Sequence, residues 1–209
     1  MKAGIKKLLL IGFFLSGMAA LIYEVVWTRP LSLVFGSTVY AVSTMLSAFM
    51  AGFALGSYAL SKYADRLKNP LYSFALLEIG IGVYGLLIIW LFNILPYPYL
   101  WVWNNFNLSF GVSSFVQFIL CFLVLIIPTT LMGATWPVVN KAYVKNIDRV
   151  GRGTGTLYSV NSIGAIIGSW SAGFILIPWL GIKGSSFFAA ILNLIVGILI
   201  FLISKSSND

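Results

Sequence analysis

The chain has no histidine and a single cysteine, Cys121. An intrachain disulfide, a Cys/His metal site and a histidine-based catalytic triad are therefore all excluded. Cys121 lies within an apolar run and reads as a small packing residue. Charge is also scarce, at 9% of the 209 residues, and acids are the scarcest: five Asp and Glu against thirteen Lys and Arg. No polar stretch is long enough to fold a second, soluble domain. The formal net charge of +8 is confined to short gaps and tails between apolar runs, so it suits anionic lipid headgroups and not nucleic acid.

What is present is hydrophobic residues, 60% of the chain, with a mean hydropathy of +0.98. They gather in six runs, roughly Leu8 to Val26, Val39 to Leu60, Leu71 to Leu95, Val112 to Val139, Thr154 to Ile177 and Ser186 to Ser204. Each is near or above the ~20 residues that carry a helix across ~30 Å of hydrocarbon. The expectation is one all-α membrane domain over residues 1–209 with six transmembrane helices. Of the thirteen cations, eleven fall on one side of such a layout: Lys2, Lys6, Lys7, Lys62, Arg66, Lys68, Lys141, Lys145, Arg149, Arg152 and Lys205. Only Arg29 and Lys183 fall on the other. The bias predicts an inner (cell) membrane protein with both termini cytoplasmic and the 96–111 segment outside. The first twenty residues have the basic and apolar parts of a signal peptide, but Met18 stands where a small residue is wanted before a cleavage site. They read as a retained first helix.

Helices in lipid gain little from hiding apolar surface against one another, so close packing relies on small residues at helical spacing. Three stripes qualify: Ala48, Gly52 and Gly56; Gly164 and Gly168, with Asn161 a turn earlier; and Ala75, Gly82 and Gly85, which share a face with Glu78. Exposed stripes and one fixed orientation imply a parallel homodimer. Pro128 and Pro137 should kink the fourth run, with Thr129 and Thr130 able to satisfy freed carbonyls. The segment Pro96 to Gly111 is dense in Tyr and Trp and reads as an interfacial belt lying on the membrane. It contains a glycosylation sequon, Asn107-Leu108-Ser109.

An ionised side chain at mid-membrane costs about 2.5 to 3.5 kcal/mol on the mildest scale, so such residues face protein or water and mark function by default. Glu24 lies about 24 Å along the first helix and Glu78 about 10 Å along the third, too far apart in depth to share a proton. Both have small neighbours on their own face and should point into the bundle. Arg29 precedes Pro30, which should break the first helix and allow Arg29 to swing back to Glu24. Glu24, Arg29, Glu78 and Asn161 are the candidate substrate- or proton-binding residues. Asn193 and Gln117 read as helix-to-helix hydrogen bonders. No metal or cofactor is expected.

The turn Ser61-Lys62-Tyr63-Ala64-Asp65-Arg66-Leu67-Lys68 resembles the loop motif of the major facilitator superfamily, with Ser61 where Gly is usual. The resemblance implies that Asp65 accepts from helix N-termini and that Arg66 clamps a neighbouring helix. A wider resemblance covers nearly the whole chain. The stretches Gly17-Met18-Ala19-Ala20-Leu21-Ile22-Tyr23-Glu24-Val25-Val26-Trp27-Thr28-Arg29, Phe35-Gly36-Ser37-Thr38, Ala48 to Ser57, Leu131 to Pro137 and Leu157 to Ala165 resemble the membrane domain of the spermidine-synthase-like membrane proteins. These are also described as fused facilitator and spermidine synthase proteins. In that family a soluble aminopropyltransferase-like domain accompanies the helices. Here it is missing, and no glycine-rich cofactor loop replaces it. The resemblance implies half of a major-facilitator-type fold, a 3+3 inverted repeat. The function expected is a half-size transporter working as a homodimer, for a polyamine or another cationic small molecule, and not an enzyme. The alternatives are a non-transporting membrane subunit that docks a separately encoded aminopropyltransferase-like enzyme, and a lipid-handling protein.

Overall fold

The computed structural model describes residues 3–35, 38–106, 109–144 and 150–206. Lys2, Lys145, Arg149, Gly36, Ser37 and Asn107-Leu108 of the sequon lie outside the described residues. Among the described residues the fold is all-helical, with no strand: α1 (Ala3–Phe35), α2 (Thr38–Ala64), α3 (Pro70–Ile94), α4 (Pro96–Asn105), α5 (Phe110–Tyr143), α6 (Val150–Ser171) and α7 (Ile177–Ser206). A single π-type turn, Ala172–Leu176, joins the last two. Backbone groups in lipid must bond within their own segment, which is why apolar runs of this length become helices. Five helical segments are long and apolar enough to cross a membrane: Gly4–Leu33, Val39–Ala64, Pro70–Asn105, Phe110–Tyr143 and Val150–Lys205.

The last of these has 56 residues, about twice what one crossing uses. It is not a straight rod. Gly181 takes φ 68°, ψ −179°, a conformation that a side chain would strain. Before that glycine the chain runs in step with α1, Gly164 meeting Phe14 and Gly168 meeting Met18. After it the order inverts: Ser186 bonds Trp27, whereas Val196 lies against Gly12. The chain therefore reverses direction at Gly181.

The sequence expectations need three corrections. Pro30 does not break α1, which continues to Phe35. Proline removes one donor near the end of a helix whose geometry its ring already fits, and the preference of Arg29 for extended backbone yields to that of the turns around it. The Thr28 and Ser32 hydroxyls donate to the Glu24 and Thr28 carbonyls at 2.6 and 2.9 Å, binding those turns together. The Pro96 to Gly111 stretch is not all loop: α4 starts at Pro96, immediately after Leu95 in helical conformation, and leaves Tyr97, Trp101 and Trp103 exposed. Finally, the small-residue stripes are used within the chain. Gly52 and Gly56 admit the backbone and side chains around Thr129, Thr130 and Ala134, and Gly164 and Gly168 admit the α1 backbone. A Cβ at any of these four positions would meet a neighbouring carbonyl or hydroxyl closer than atoms pack.

The two prolines inside α5 are accommodated from outside the helix. Pro128 leaves the Val124 carbonyl without its helical donor, and the Tyr84 hydroxyl of α3 supplies one at 2.8 Å. Pro137 does the same to Gly133, and Ser57 of α2 donates at 2.9 Å. Thr129 and Thr130 bond the carbonyls of Leu125 and Ile126, one and two positions past the Val124 carbonyl that Pro128 frees, and so do not satisfy the freed carbonyls as expected. Thr129 also reaches Ala48 across the helix contact, at 3.2 Å.

Helix pairing has a pattern. α1 lies against α6 as α5 lies against α2, and α1 against α7 as α5 against α3, while α3 and α7 pack on each other. The pattern is broken at one place, where α1 and α2 pack closely and α5 and α6 barely touch. The cations collect at one end of the bundle. Lys6 stacks over Tyr143 at 4.2 Å, Lys141 pairs with Asp65 at 3.4 Å, and Asn69 bonds Ser204 next to Lys205. Arg29 and Lys183 sit at the opposite end.

Candidate functional site

Between α1, α2, α5 and α6 lies a cavity of about 420 Å³, next to the pair α5 and α6 that hardly meet. Gly17 and Gly133 border it, the first packed against Asn161 and the second against the Phe53 backbone. Its walls are aromatic: Phe13 and Trp136 have ring centroids 5.8 Å apart, Trp136 and Tyr158 meet edge-on at 6.1 Å, and Phe53 closes the α2 side. The polar side chains among its lining residues are Ser16, Ser57, Thr135, Tyr158 and Asn161, with the Trp136 indole. No lining residue is charged. Electron-rich ring faces of this kind attract cations, by about 0.5 to 2 kcal/mol each.

A carboxyl group lies directly behind the α1 wall. Glu78 of α3 is completely buried. Ser16, which lines the cavity, donates its hydroxyl to Glu78 Oε1 at 2.6 Å, and Asn193 of α7 donates its amide to Oε2 at 2.7 Å. Two hydrogen bonds, on opposite oxygens, hold the carboxyl group in place. Among the described residues no cation pairs with it, and their one ion pair is the exposed Lys141–Asp65 contact. Among the described residues Asn193 Oδ1 has no hydrogen-bond partner, nor has the buried Tyr23 hydroxyl, two turns up α1 from Ser16.

The other expected residues disperse. Asn161 is at the cavity, its side chain packed over Gly17. Glu24 is half-buried and makes no side-chain hydrogen bond among the described residues, and Arg29 is exposed. The two do not pair, since an unbroken helix puts positions five apart on diverging faces. Asp65 meets Lys141 from the end of α5, in place of a helix N-terminus, and Arg66 is exposed, with no side-chain partner among the described residues. Asn193 does bond across helices, as expected. Sequence reasoning missed Ser16, Tyr23 and Ser186. The signal was present in spacing: Ser16 and Tyr23, Glu78 and Gly85, and Ser186 and Asn193 are each seven apart, two turns of one face.

No family model matches the chain, and comparison with curated proteins and with solved structures finds no match.

Proposed function

We propose that the chain is half of a facilitator-type transporter, crossing the membrane six times, that works as a parallel homodimer on an organic cation. The observation that carries this reading is the aromatic cavity one hydroxyl away from a buried carboxylate that no cation neutralises. A cationic guest, polyamines being the class the sequence resemblance suggests, gains from the ring faces and from the Glu78 charge behind Ser16. The reversal at Gly181 supports six crossings. The exchange of α1, α2 and α3 for α5, α6 and α7 in helix pairing supports a 3+3 inverted repeat, since the basic ends of α1 and α5 are the start of one and the end of the other. In such a half the cavity-lining helices α1, α2, α5 and α6 form the face that a second half covers. With the small-residue stripes used internally, it is this face that calls for a second copy. The gathered cations support cytoplasmic termini in an inner membrane.

Purified protein in proteoliposomes tests the reading directly, by uptake and efflux of polyamines, amino acids and lipids. Cation transport is expected, and Glu78→Gln, which keeps the shape and removes the charge, should abolish it while the protein remains folded. Transport of none of these classes, with a basic end that captures a soluble enzyme, favours the scaffold reading: Lys62, Arg66, Lys68 and Arg152 are all exposed there.

A further inference from the structure

At the end of the bundle opposite the gathered cations, Lys183 is exposed and meets neither an acid nor a ring among the described residues, unlike Lys6, Lys62 and Lys141. It stands in the first turn of α7 after Gly181, and Ser186 follows one turn later on the same face. Both line a recess of about 70 Å³ together with Asn93 of α3. The buried wall of this recess is the Trp27 indole and the Ser186 hydroxyl, bonded to each other at 3.0 Å. A second recess of about 440 Å³ adjoins it and shares Pro30, Phe92 and Asn93 with it. The rest of that second lining is Leu33 of α1 with Pro96, Tyr99 and Leu100 of α4. The two recesses make one groove, polar and cationic at the Lys183 end and apolar along its larger part. Among the described residues no carboxylate lines either part, and neither part shares a residue with the aromatic cavity.

We propose that this groove seats one anionic phospholipid from the leaflet at the Lys183 end, with its phosphodiester at Lys183 and Asn93 and an acyl chain along Phe92, Leu33 and Leu100. The ammonium of Lys183 supplies the charge that a phosphodiester needs, and the Asn93 amide can donate to its oxygens. With no carboxylate in the lining there is nothing to hold a headgroup ammonium, which favours an anionic headgroup over a zwitterionic one. A free phosphate compound would use the small recess and leave the larger, apolar one in contact with water. A charged head joined to a hydrocarbon tail fills both. The depth agrees, because α1 and α3 end here at Phe35 and Ile94, and α4, which walls the groove, presents exposed Tyr97, Trp101 and Trp103. Such rings mark the headgroup boundary of a membrane. A lysine that merely reached the surface would meet whatever lipid passed; the recess beside Lys183 is what selects one and keeps it. Since the groove is separate from the cavity, the proposal stands whether or not the chain transports a cation.

The test uses the purified protein in phosphatidylcholine vesicles with a small share of phosphatidylglycerol that carries a photoreactive diazirine near the top of one acyl chain. Adducts are located by peptide mass spectrometry. They should concentrate on residues 92–100 and 182–186, and unlabelled phosphatidylglycerol should displace them where added phosphatidylcholine and soluble glycerol phosphate do not. Lys183→Ala should lower the labelling of these peptides about tenfold and Lys183→Arg should keep most of it. Arg29→Ala, which removes the other cation of this end from outside the groove, should change little. Equal thermal unfolding of Lys183→Ala and the parent in pure phosphatidylcholine shows the variant folded, and adding phosphatidylglycerol should then stabilise the parent and Arg29→Ala but not Lys183→Ala. Even labelling along all lipid-facing helices, or equal losses from Lys183→Ala and Arg29→Ala, overturns the proposal in favour of ordinary surface lipid. Displacement by glycerol phosphate overturns it in favour of a free phosphate compound, and labelling that falls as the protein is packed more densely in the vesicles overturns it in favour of a second copy in the groove.

Discussion

The α2–α5 contact and the α1–α3–α7 contact are both buried helix packings, yet they treat polar atoms in opposite ways. Between α2 and α5 the polar atoms are backbone carbonyls and threonine or serine hydroxyls, and they find partners: Ser57 takes the carbonyl that Pro137 frees, and Thr129 bonds Leu125 and Ala48. The helices touch through Gly52, Gly56 and Gly133, where backbone meets backbone. Between α1, α3 and α7 a carboxylate is buried with two donors, and two further polar atoms have none. The first region is built to stay closed. The second buries an acid, and two of its polar atoms find no partner among the described residues.

The comparison can be broken most forcefully at glycine. Gly56→Leu drives a side chain into the Thr130 carbonyl and the Ala134 amide, which belong to backbone and cannot turn aside. A loss of at least about 3 kcal/mol, or no folded protein, is expected from thermal unfolding in detergent. Gly82→Leu in the other region meets chiefly the Leu194 side chain, which has rotamers to yield with, and should cost clearly less. Equal losses would show that the two contacts are equally rigid.

Next in size is Asn193→Leu, which strands Glu78 Oε2 and should destabilise by about 3 kcal/mol. Removing the charge as well, in Asn193→Leu with Glu78→Leu, should restore part of that loss, because it is the unpaired buried charge that is costly. Additive losses in the double variant would mean that Glu78 is solvated in some other way.

The proline partners should differ by their surroundings. Tyr84→Phe leaves the Val124 carbonyl bare between helices and should cost about 1 to 2 kcal/mol. Ser57→Ala exposes the Gly133 carbonyl at the cavity, where solvent can replace the hydroxyl, and should cost about 0.5 kcal/mol. A reversed order, measured by denaturation, would show the cavity to be dry.

The smallest effect is expected at Glu24 and Arg29. With no contact between them, the losses in Glu24→Gln and Arg29→Leu should add to within about 0.5 kcal/mol in the double variant. A larger coupling would show that α1 bends at Pro30 in the membrane.

The site was legible in part. Glu78 stood out because a carboxylate on a face of Ala75, Gly82 and Gly85 can only point inward, and Asn161 because it precedes Gly164 and Gly168 by one turn. Glu24 looked equivalent on the same grounds, yet it is half-buried and unpartnered. Local spacing says which face of a helix is narrow and nothing about what packs there. Ser16 carried no signal of its own, since a serine beside Gly17 on a membrane helix is ordinary until a carboxylate is placed opposite.

Sequence alone decided what is local. A long apolar run in lipid has no alternative to the helix, because its peptide groups have no water to bond. The scarcity of acids and the one-sided distribution of cations likewise needed no structure to read. Tertiary structure decided what depends on register between helices distant in the chain. Ser16 meets Glu78 across 62 positions, and Glu78 meets Asn193 across 115. It also decided that the chain turns back at Gly181, that Pro30 is absorbed and that Tyr84 and Ser57 complete α5. Each of these depends on how the surfaces of two helices interlock, which is a property of the pair and is written in neither helix by itself.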